Sequence, residues 1–180
     1  MSRYVAFLSG MNLGGRRITN ADLRTQVEQL GFTDVGTFRA SGNVVLTAER
    51  GGRAAVAERL ETGLLAALGY AVPVFVREAG EVRAIAAQEP FPAPLVRGSA
   101  GKLQVALLLA RPDAAARRRA LALATHDDQL AIAATELYWL PSGGISDSDL
   151  DLKALATVLG AMTIRTMGTI RELAAKHLAG

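Results

Sequence analysis

The residues best suited to chemistry in this 180-residue chain lie in the segment 9–17, SGMNLGGRR, which we call the glycine loop. Gly14 and Gly15 expose backbone N–H groups there, while Asn12 and Arg16 add amide and guanidinium donors. Such donors, placed between a strand and the N-terminus of a helix, bind phosphate and carboxylate groups. The glycine loop therefore predicts an anion site, and a purely structural tight loop is the alternative.

A second polar segment, residues 39–43, contains Arg39, Ser41 and Asn43, and we call it the polar turn. In a βαββαβ unit with strand order 4-1-3-2, the third strand lies antiparallel beside the first. The end of the first strand then abuts the start of the third, so we expect the glycine loop and the polar turn to share one edge. Alternatively, Asn12 and Asn43 only cap turns, and Ser41 bonds its own backbone.

The second half of the chain lacks this combination at the corresponding positions. Residues 110–112 and 134–136 contain no glycine and one acid, Glu136. The same reasoning therefore predicts no anion site in the second half.

The acidic run 147–151, with an aspartate at every second position, imitates the first ligands of a calcium loop. However, Leu152 and Val158 stand where an EF-hand requires glycine and glutamate. Acids that enter a helix, with Ser146 or Ser148 as the cap, explain the run better. We expect no calcium site here, and a weak magnesium site is the alternative.

Histidine and arginine clusters also have simpler explanations than a site. His126 beside the aspartates 127–128 predicts a solvated turn, because consecutive residues rarely converge on one ion. His177 is placed in the last turn of a helix, and the arginines 117–119 fan around another helix. We predict no metal, no cofactor and no catalytic residue from these groups.

Composition excludes several classes of protein. The chain has no cysteine, which excludes disulfides, thiolate nucleophiles and cysteine-ligated metals. It also lacks the phosphate-loop, dinucleotide, nucleophile-elbow and zinc-protease motifs. The absence of a secretion signal or a long apolar segment predicts a soluble, cytoplasmic protein without a membrane partner.

The charge balance argues against nucleic acid as a partner. Twenty basic residues face 17 acidic ones, a net charge of +3, and neither half forms a basic arm. Phe7, Phe38 and Phe75 stand alone in aliphatic strands, as core residues do, rather than in the aromatic pattern of RNA-binding sheets.

The hydrophobic pattern predicts the same order of elements in both halves, βαββαβ followed by one further helix. The first half is predicted as strand 3–8, helix 20–30, hairpin 32–39 and 43–47, helix 56–68, strand 72–77 and helix 79–88. The second is predicted as strand 103–109, helix 112–124, strands 129–133 and 137–140, helix 149–159, strand 162–166 and helix 168–178. This order indicates an α+β protein of two ferredoxin-like α-β plaits, with a single doubly wound sheet as the alternative.

The predicted domains are residues 1–96, which contain the glycine loop, and residues 97–180. Prolines and glycines crowd residues 90–101, and we predict a linker at 89–101 that contains no helix. In the cores, the periodicity places Leu60, Leu64, Val105 and Leu107 as buried residues.

Four segments resemble a known bacterial family, the domain of unknown function 1697. They are YVAFLSGMNLGG at 4–15, ADL at 21–23, LGFTDV at 30–35 and ASGNVV at 40–45. The resemblance implies two α-β plaits and no assigned activity. Members usually carry arginine at the position of Ser9, a lysine within 147–149, and asparagines at the positions of Thr166 and Gly168, so part of any shared polar site is lost here.

Three function classes stay open at this point. A module that binds a small ligand or anion through the glycine loop is the preferred hypothesis. A module for protein interaction or homo-oligomerisation is the alternative, because the exposed faces and edges of such sheets associate. An enzyme is the third, although no nucleophile, base or metal cluster points to a reaction.

Overall fold

A computed structural model gives the structure of residues 1–12, 14–40, 42–49 and 51–178. The first half contains β1 (Ser2–Leu8), α1 (Asn20–Gln29), β2 (Thr33–Phe38), β3 (Asn43–Ala48), α2 (Gly52–Leu68), β4 (Val74–Glu78), α3 (Ala79–Ala86) and α4 (Ala93–Gly98). The second contains β5 (Gln104–Leu108), α5 (Ala114–Leu121), β6 (Asp128–Ala133), β7 (Glu136–Pro141), a 3-10 turn (Ile145–Asp147), α6 (Leu152–Leu159), β8 (Met162–Thr166) and α7 (Met167–His177).

The strands form two four-stranded sheets with the same topology. Their orders are β2-β3-β1-β4 and β6-β7-β5-β8, and neighbouring strands are antiparallel throughout. Helices flank each sheet, so the prediction of two α-β plaits is confirmed and the single parallel sheet is excluded.

Local sequence explains where the helices begin and end. The Thr19 hydroxyl accepts a hydrogen bond from the Asp22 N–H at 3.0 Å and so caps α1. Gly69 ends α2 in a left-handed conformation, with φ of 77°. The cap predicted for α6 was wrong: Asp151, rather than Ser146 or Ser148, accepts from the Ala154 N–H at 2.8 Å.

Each sheet has an apolar core beneath its helices. Leu60 and Leu64 of α2 are fully buried in the first, as predicted. In the second sheet, Val105 and Leu107 are fully buried as well, but they point away from the cluster of apolar residues under α5 and α6. Alternation along a strand explains this, since successive side chains face opposite sides of a sheet.

The faces opposite α1 and α2 are not open. Val5, Phe7, Val45 and Phe75 lie on that side of the first sheet, and all are buried. Both sides of the first sheet are therefore covered, and association through sheet faces or edges stays a prediction.

The proline-rich segment contains a helix that the sequence analysis excluded. Pro92 precedes α4 and its carbonyl accepts from the Leu95 N–H at 2.9 Å, while Pro94 occupies the first turn. The first helical positions tolerate proline because their N–H groups have no partner within the helix. The prediction of a helix-free linker was wrong for that reason.

Packing divides the chain into one unit of Met1–Ile85 with Leu173–Gly180 and another of Ala86–Glu172. This division falls at 85 and 86, whereas the sequence predicted a boundary at 96 and 97. The predicted boundary stays a prediction, because packing does not report which segment folds alone. In the described part of the chain, no helix has both the length and the hydrophobicity to cross a membrane.

Candidate functional site

The glycine loop and the polar turn meet where β1 ends and β3 begins. Phe7 pairs with Asn43 across the two strands, and the Leu8 N–H donates to the Gly42 carbonyl at 2.8 Å. The predicted shared edge is therefore present, and it follows directly from the strand order.

Gly42 makes this junction possible. Its φ is +74°, and a Cβ at this position would lie 3.1 Å from the Leu8 Cβ and 3.3 Å from the Leu8 carbonyl oxygen. Both the left-handed backbone and the close approach favour glycine.

Asn12 ties the glycine loop to the polar turn. Its Nδ2 donates to the Ala40 carbonyl at 3.2 Å, and its Oδ1 accepts from the Ile18 N–H at 3.2 Å. One side chain thus closes the loop on itself and holds it against the turn. This is the turn-capping role that the sequence analysis gave as the alternative for Asn12, and it leaves little of the amide for a ligand.

Tyr70, just after α2, anchors the other side of the loop. Its hydroxyl donates to the carbonyl of Met11 at 3.0 Å, and Met11 itself is buried. The Arg16 guanidinium lies over the Tyr70 ring, with Cζ 4.2 Å from the ring centroid. Stacking uses the face of a guanidinium, so its in-plane N–H donors remain directed outward.

Between these anchors, the loop offers backbone donors to solvent. Gly14 and Gly15 are exposed and left-handed, with φ of +63° and +81° and open space where a Cβ would stand. The N–H groups of residues 14–17 donate to no acceptor within the described part of the chain.

Two cationic side chains, Arg39 of the polar turn and Lys176 of α7, lie around the Phe38 ring together with the ring of His177. Arg39, exposed and with φ of 58°, has its Cζ 5.5 Å from the centroid of Phe38. Lys176 Nζ lies 5.9 Å from the same ring, and the His177 ring meets it edge-on at 5.5 Å. Sequence reasoning missed Lys176 and His177 because nothing local places the end of α7 beside the polar turn.

Asn43 supports the turn from below. It is fully buried, and its Nδ2 donates to the Phe38 carbonyl at 2.9 Å. Ser41, the remaining predicted site residue, lies outside the described residues.

The equivalent junction of the second half is built without glycine. The Leu108 N–H donates to the Thr135 carbonyl at 2.9 Å, which repeats the bond between Leu8 and Gly42. Glu136 occupies the position of Asn43 and accepts from the Thr135 hydroxyl at 2.7 Å. A carboxylate therefore stands where the first half has an amide.

Asp128 departs from the solvated turn predicted for residues 126–128. It is only 1% exposed, and its carboxylate accepts from Trp139 Nε1 and the Ser148 and Thr125 hydroxyls at 2.7, 2.7 and 2.8 Å. Burial raises the pKa of Asp128, but the three hydrogen bonds together outweigh it and lower the pKa below its ordinary value. Asp128 is a structural hub of the second half.

His126 and Asp127, the residues before Asp128, do form the solvated turn that the sequence predicts. The His126 side chain is 98% exposed, with Nδ1 3.4 Å from an oxygen of Asp127. Among the described residues, no group of three or more histidines and acids is placed to hold a metal ion. The prediction that this region and the run 147–151 bind no metal stays a prediction.

Two buried arginines occupy equivalent positions in the two sheets. In the first sheet, Arg77 of β4 pairs with Val5 of β1, on the face opposite α1 and α2. In the second sheet, Arg165 of β8 pairs with Val105 of β5 on the corresponding face. Arg165 donates to the Thr163 hydroxyl at 2.9 Å, and burial lowers the pKa of Arg165 to about 10. The sequence analysis missed this internal correspondence, because the two strands share little else.

Comparison with known proteins now places the chain. The sequence profile of the family described as protein of unknown function (DUF1697) matches residues 1–138. The chain belongs to this family. The match includes the glycine loop, the polar turn and their counterparts in the second half, and the family carries no assigned activity.

A solved structure shares the whole fold of this DUF1697 protein. It is the conserved bacterial protein SP0830 from Streptococcus pneumoniae, with a TM-score of 0.71, 20% sequence identity and coverage of 97% of each chain. At this identity, the similarity establishes the fold alone. No curated protein matches the chain significantly.

Proposed function

We propose that the protein binds a small anion, a phosphate or carboxylate group, at the edge formed by the glycine loop and the polar turn. The observation that carries the proposal is the exposed turn at Gly14 and Gly15, since the N–H groups of residues 14–17 have no acceptor among the described residues. These donors belong to a loop that Asn12 and Tyr70 hold in place. A held loop favours binding because less conformational entropy is lost when a ligand arrives.

Charge favours an anion at this edge. Arg16 and Arg17 follow the two glycines, Arg39 lies on the polar turn, and segments 9–18 and 38–47 contain no acid. The Arg16 guanidinium, whose face lies on the Tyr70 ring, can hold two oxygens of one phosphate or carboxylate through its in-plane N–H groups. We assign binding to Gly14, Gly15, Arg16 and Arg39, and a supporting role to Asn12 and Asn43.

The remaining expectations about partners and location are part of the same proposal. We propose that the protein acts in the cytoplasm and engages neither membrane nor nucleic acid directly. The mixed charges support this, and so does the burial of Phe7, Phe38 and Phe75, which withdraws these rings from base stacking.

Titration with inorganic phosphate, followed by backbone amide shifts in NMR spectra, tests the site. We expect shifts confined to residues 14–17 and 39–43, with a dissociation constant in the millimolar range or tighter. A parallel titration with acetate tells whether a carboxylate suffices. Shifts elsewhere, or no shifts with either anion, would show the glycine loop to be structural only.

Arginine variants separate a specific site from general charge. Arg16→Ala should weaken phosphate binding about tenfold, the effect of losing one charge-assisted hydrogen bond. The matched control is Arg24→Ala, which removes an exposed arginine of α1 that pairs with Glu28 at 2.8 Å and should leave binding unchanged. Equal losses in both variants would mean that only the net charge matters.

A further inference from the structure

Four strands lie at the sheet edges, β2 and β4 in the first sheet and β6 and β8 in the second. An edge strand offers N–H and C=O groups to any other extended chain, so proteins protect edges with bulges, prolines or charged side chains. An edge strand without such protection is a place where another strand could pair.

Three of these edges are protected. The register of β2 shifts between Thr33 and Gly36, and Asp34 within the shift has a φ of 49°. β4 carries Arg77 and Glu78, and β8 carries the buried charge of Arg165. A bulge or a charge directed into the sheet opposes the addition of another strand.

The edge strand β6 has no bulge, and its charged residue, Asp128, stands at its first position, where the carboxylate is bonded to Thr125, Trp139 and Ser148. The strand pairs with β7 residue by residue, from Asp128 with Pro141 to Ala133 with Glu136, without a shift in register. Its central sequence, QLAIA at residues 129–133, contains no charge, proline or glycine.

The outward-facing backbone groups of β6 can be assigned. The Ser142 N–H donates to the Asp127 carbonyl at 2.7 Å, so residue 127 bonds inward, toward β7. In an antiparallel pair, inward and outward residues alternate. Residues 129, 131 and 133 therefore also bond to β7, and Leu130 and Ile132 direct their N–H and C=O groups outward.

We propose that β6 pairs antiparallel with β6 of a second copy of this chain, about a two-fold axis at Ala131. In this register, Leu130 of each copy exchanges hydrogen bonds with Ile132 of the other. Ala131 faces Ala131 across the axis, so no like charges oppose each other. A second copy is the occupant because the strand is complementary to itself and the two-fold closes after two chains.

The surface beside the strand supplies further contact area. A groove of about 240 Å³, bordered by Pro94, Leu95 and Leu140, opens next to Gln129. Leu95 is 39% exposed there. The two-fold places Ala133 of the second copy opposite Gln129, so the end of its hairpin extends toward the groove, once on each side of the axis.

Disulfide trapping tests this register, because the chain has no cysteine of its own. In Ala131→Cys, the two cysteines form a non-hydrogen-bonded pair with Cα atoms about 4.5 Å apart, which suits a disulfide. Mild oxidation should convert most of this variant to a covalent dimer. Gln129→Cys is the matched control. Alone, it should form no disulfide-linked dimer, but it should cross-link when mixed with Ala133→Cys.

Charge at the axis tests reversible association by sedimentation across a concentration series. Ala131→Lys and Ala131→Glu should each weaken the dimer up to about fivefold, and their mixture should restore it. Thr37→Lys on the protected edge β2 should change nothing. A monomeric native chain, or equal cross-linking at positions 129 and 131, would overturn the proposal, and so would a dimer that is insensitive to charge at position 131.

Discussion

At the end of β1 the backbone of Leu8 bonds to Gly42, and at the end of β5 the backbone of Leu108 bonds to Thr135 at nearly the same distance. The two junctions share strand order and register, but their side chains differ. The first has glycines, an amide and arginines, whereas the second has a threonine and the carboxylate of Glu136. The comparison shows that one backbone framework accepts opposite electrostatics at its edge, so the fold alone does not determine a site.

Unlike the two junctions, the buried apolar residues of the two halves should lose similar amounts of stability when they are truncated. Leu64→Ala in the first half and Leu107→Ala in the second each remove a fully buried side chain. Each should lower the free energy of unfolding by about 2–5 kcal/mol. Chemical denaturation measures both, and a change below about 0.5 kcal/mol in either would contradict the packing described.

Asp128 is a buried hub that is particular to the second half. Asp128→Ala leaves the donors of Trp139, Ser148 and Thr125 without their acceptor, which should cost about 3 kcal/mol. Fluorescence of Trp139, the single tryptophan, reports the change directly.

The pH dependence of this hub has a definite sign. The folded pKa of Asp128 is lowered, so its contribution to stability is present above the unfolded pKa of about 3.9 and is lost as the pH falls through the folded pKa. Acid should therefore shift the Trp139 signal in the native protein. Asp128→Asn should remove that dependence, and an unchanged acid transition in this variant would contradict the assignment.

Replacing the equivalent turn residues by alanine compares how strongly each junction depends on its own residue for stability. Gly42→Ala forces a left-handed alanine against Leu8 and should cost about 2 kcal/mol. Thr135→Ala loses one hydrogen bond to Glu136 and should cost about 1 kcal/mol or less. Equal costs, measured by denaturation, would mean that the glycine junction is no more constrained than its counterpart.

The smallest expected effect on stability belongs to Asn12. Asn12→Ala removes two exposed hydrogen bonds, those to Ile18 and Ala40, and should cost about 1 kcal/mol. It should also weaken phosphate binding, because the glycine loop is no longer held against the polar turn. If binding is unchanged while the stability falls, the clamp contributes to the fold but not to the proposed site.

Local sequence predicted the helices and strands, and their order predicted that the glycine loop and the polar turn share an edge. Capping at Thr19 and the spacing of Leu60 and Leu64 depend on residues within a turn or two of one another. The shared edge followed from strand order, since few topologies satisfy the βαββαβ pattern. The cap of α6 was missed because Ser146, Ser148 and Asp151 all satisfy the local rule for a helix cap. The helix in the proline segment was missed because prolines at the first helical positions do not oppose a helix.

The sequence by itself determined that glycines and arginines follow β1, and that a polar turn precedes β3. Only the tertiary structure decided which of these groups remain available to a ligand. The Asn12 amide is engaged by Ala40 and Ile18, Asn43 is buried, and Arg16 rests on Tyr70. The physical reason is that a polar group's availability depends on where its partners lie, and the partners Ala40 and Tyr70 are far from Asn12 and Arg16 in the sequence.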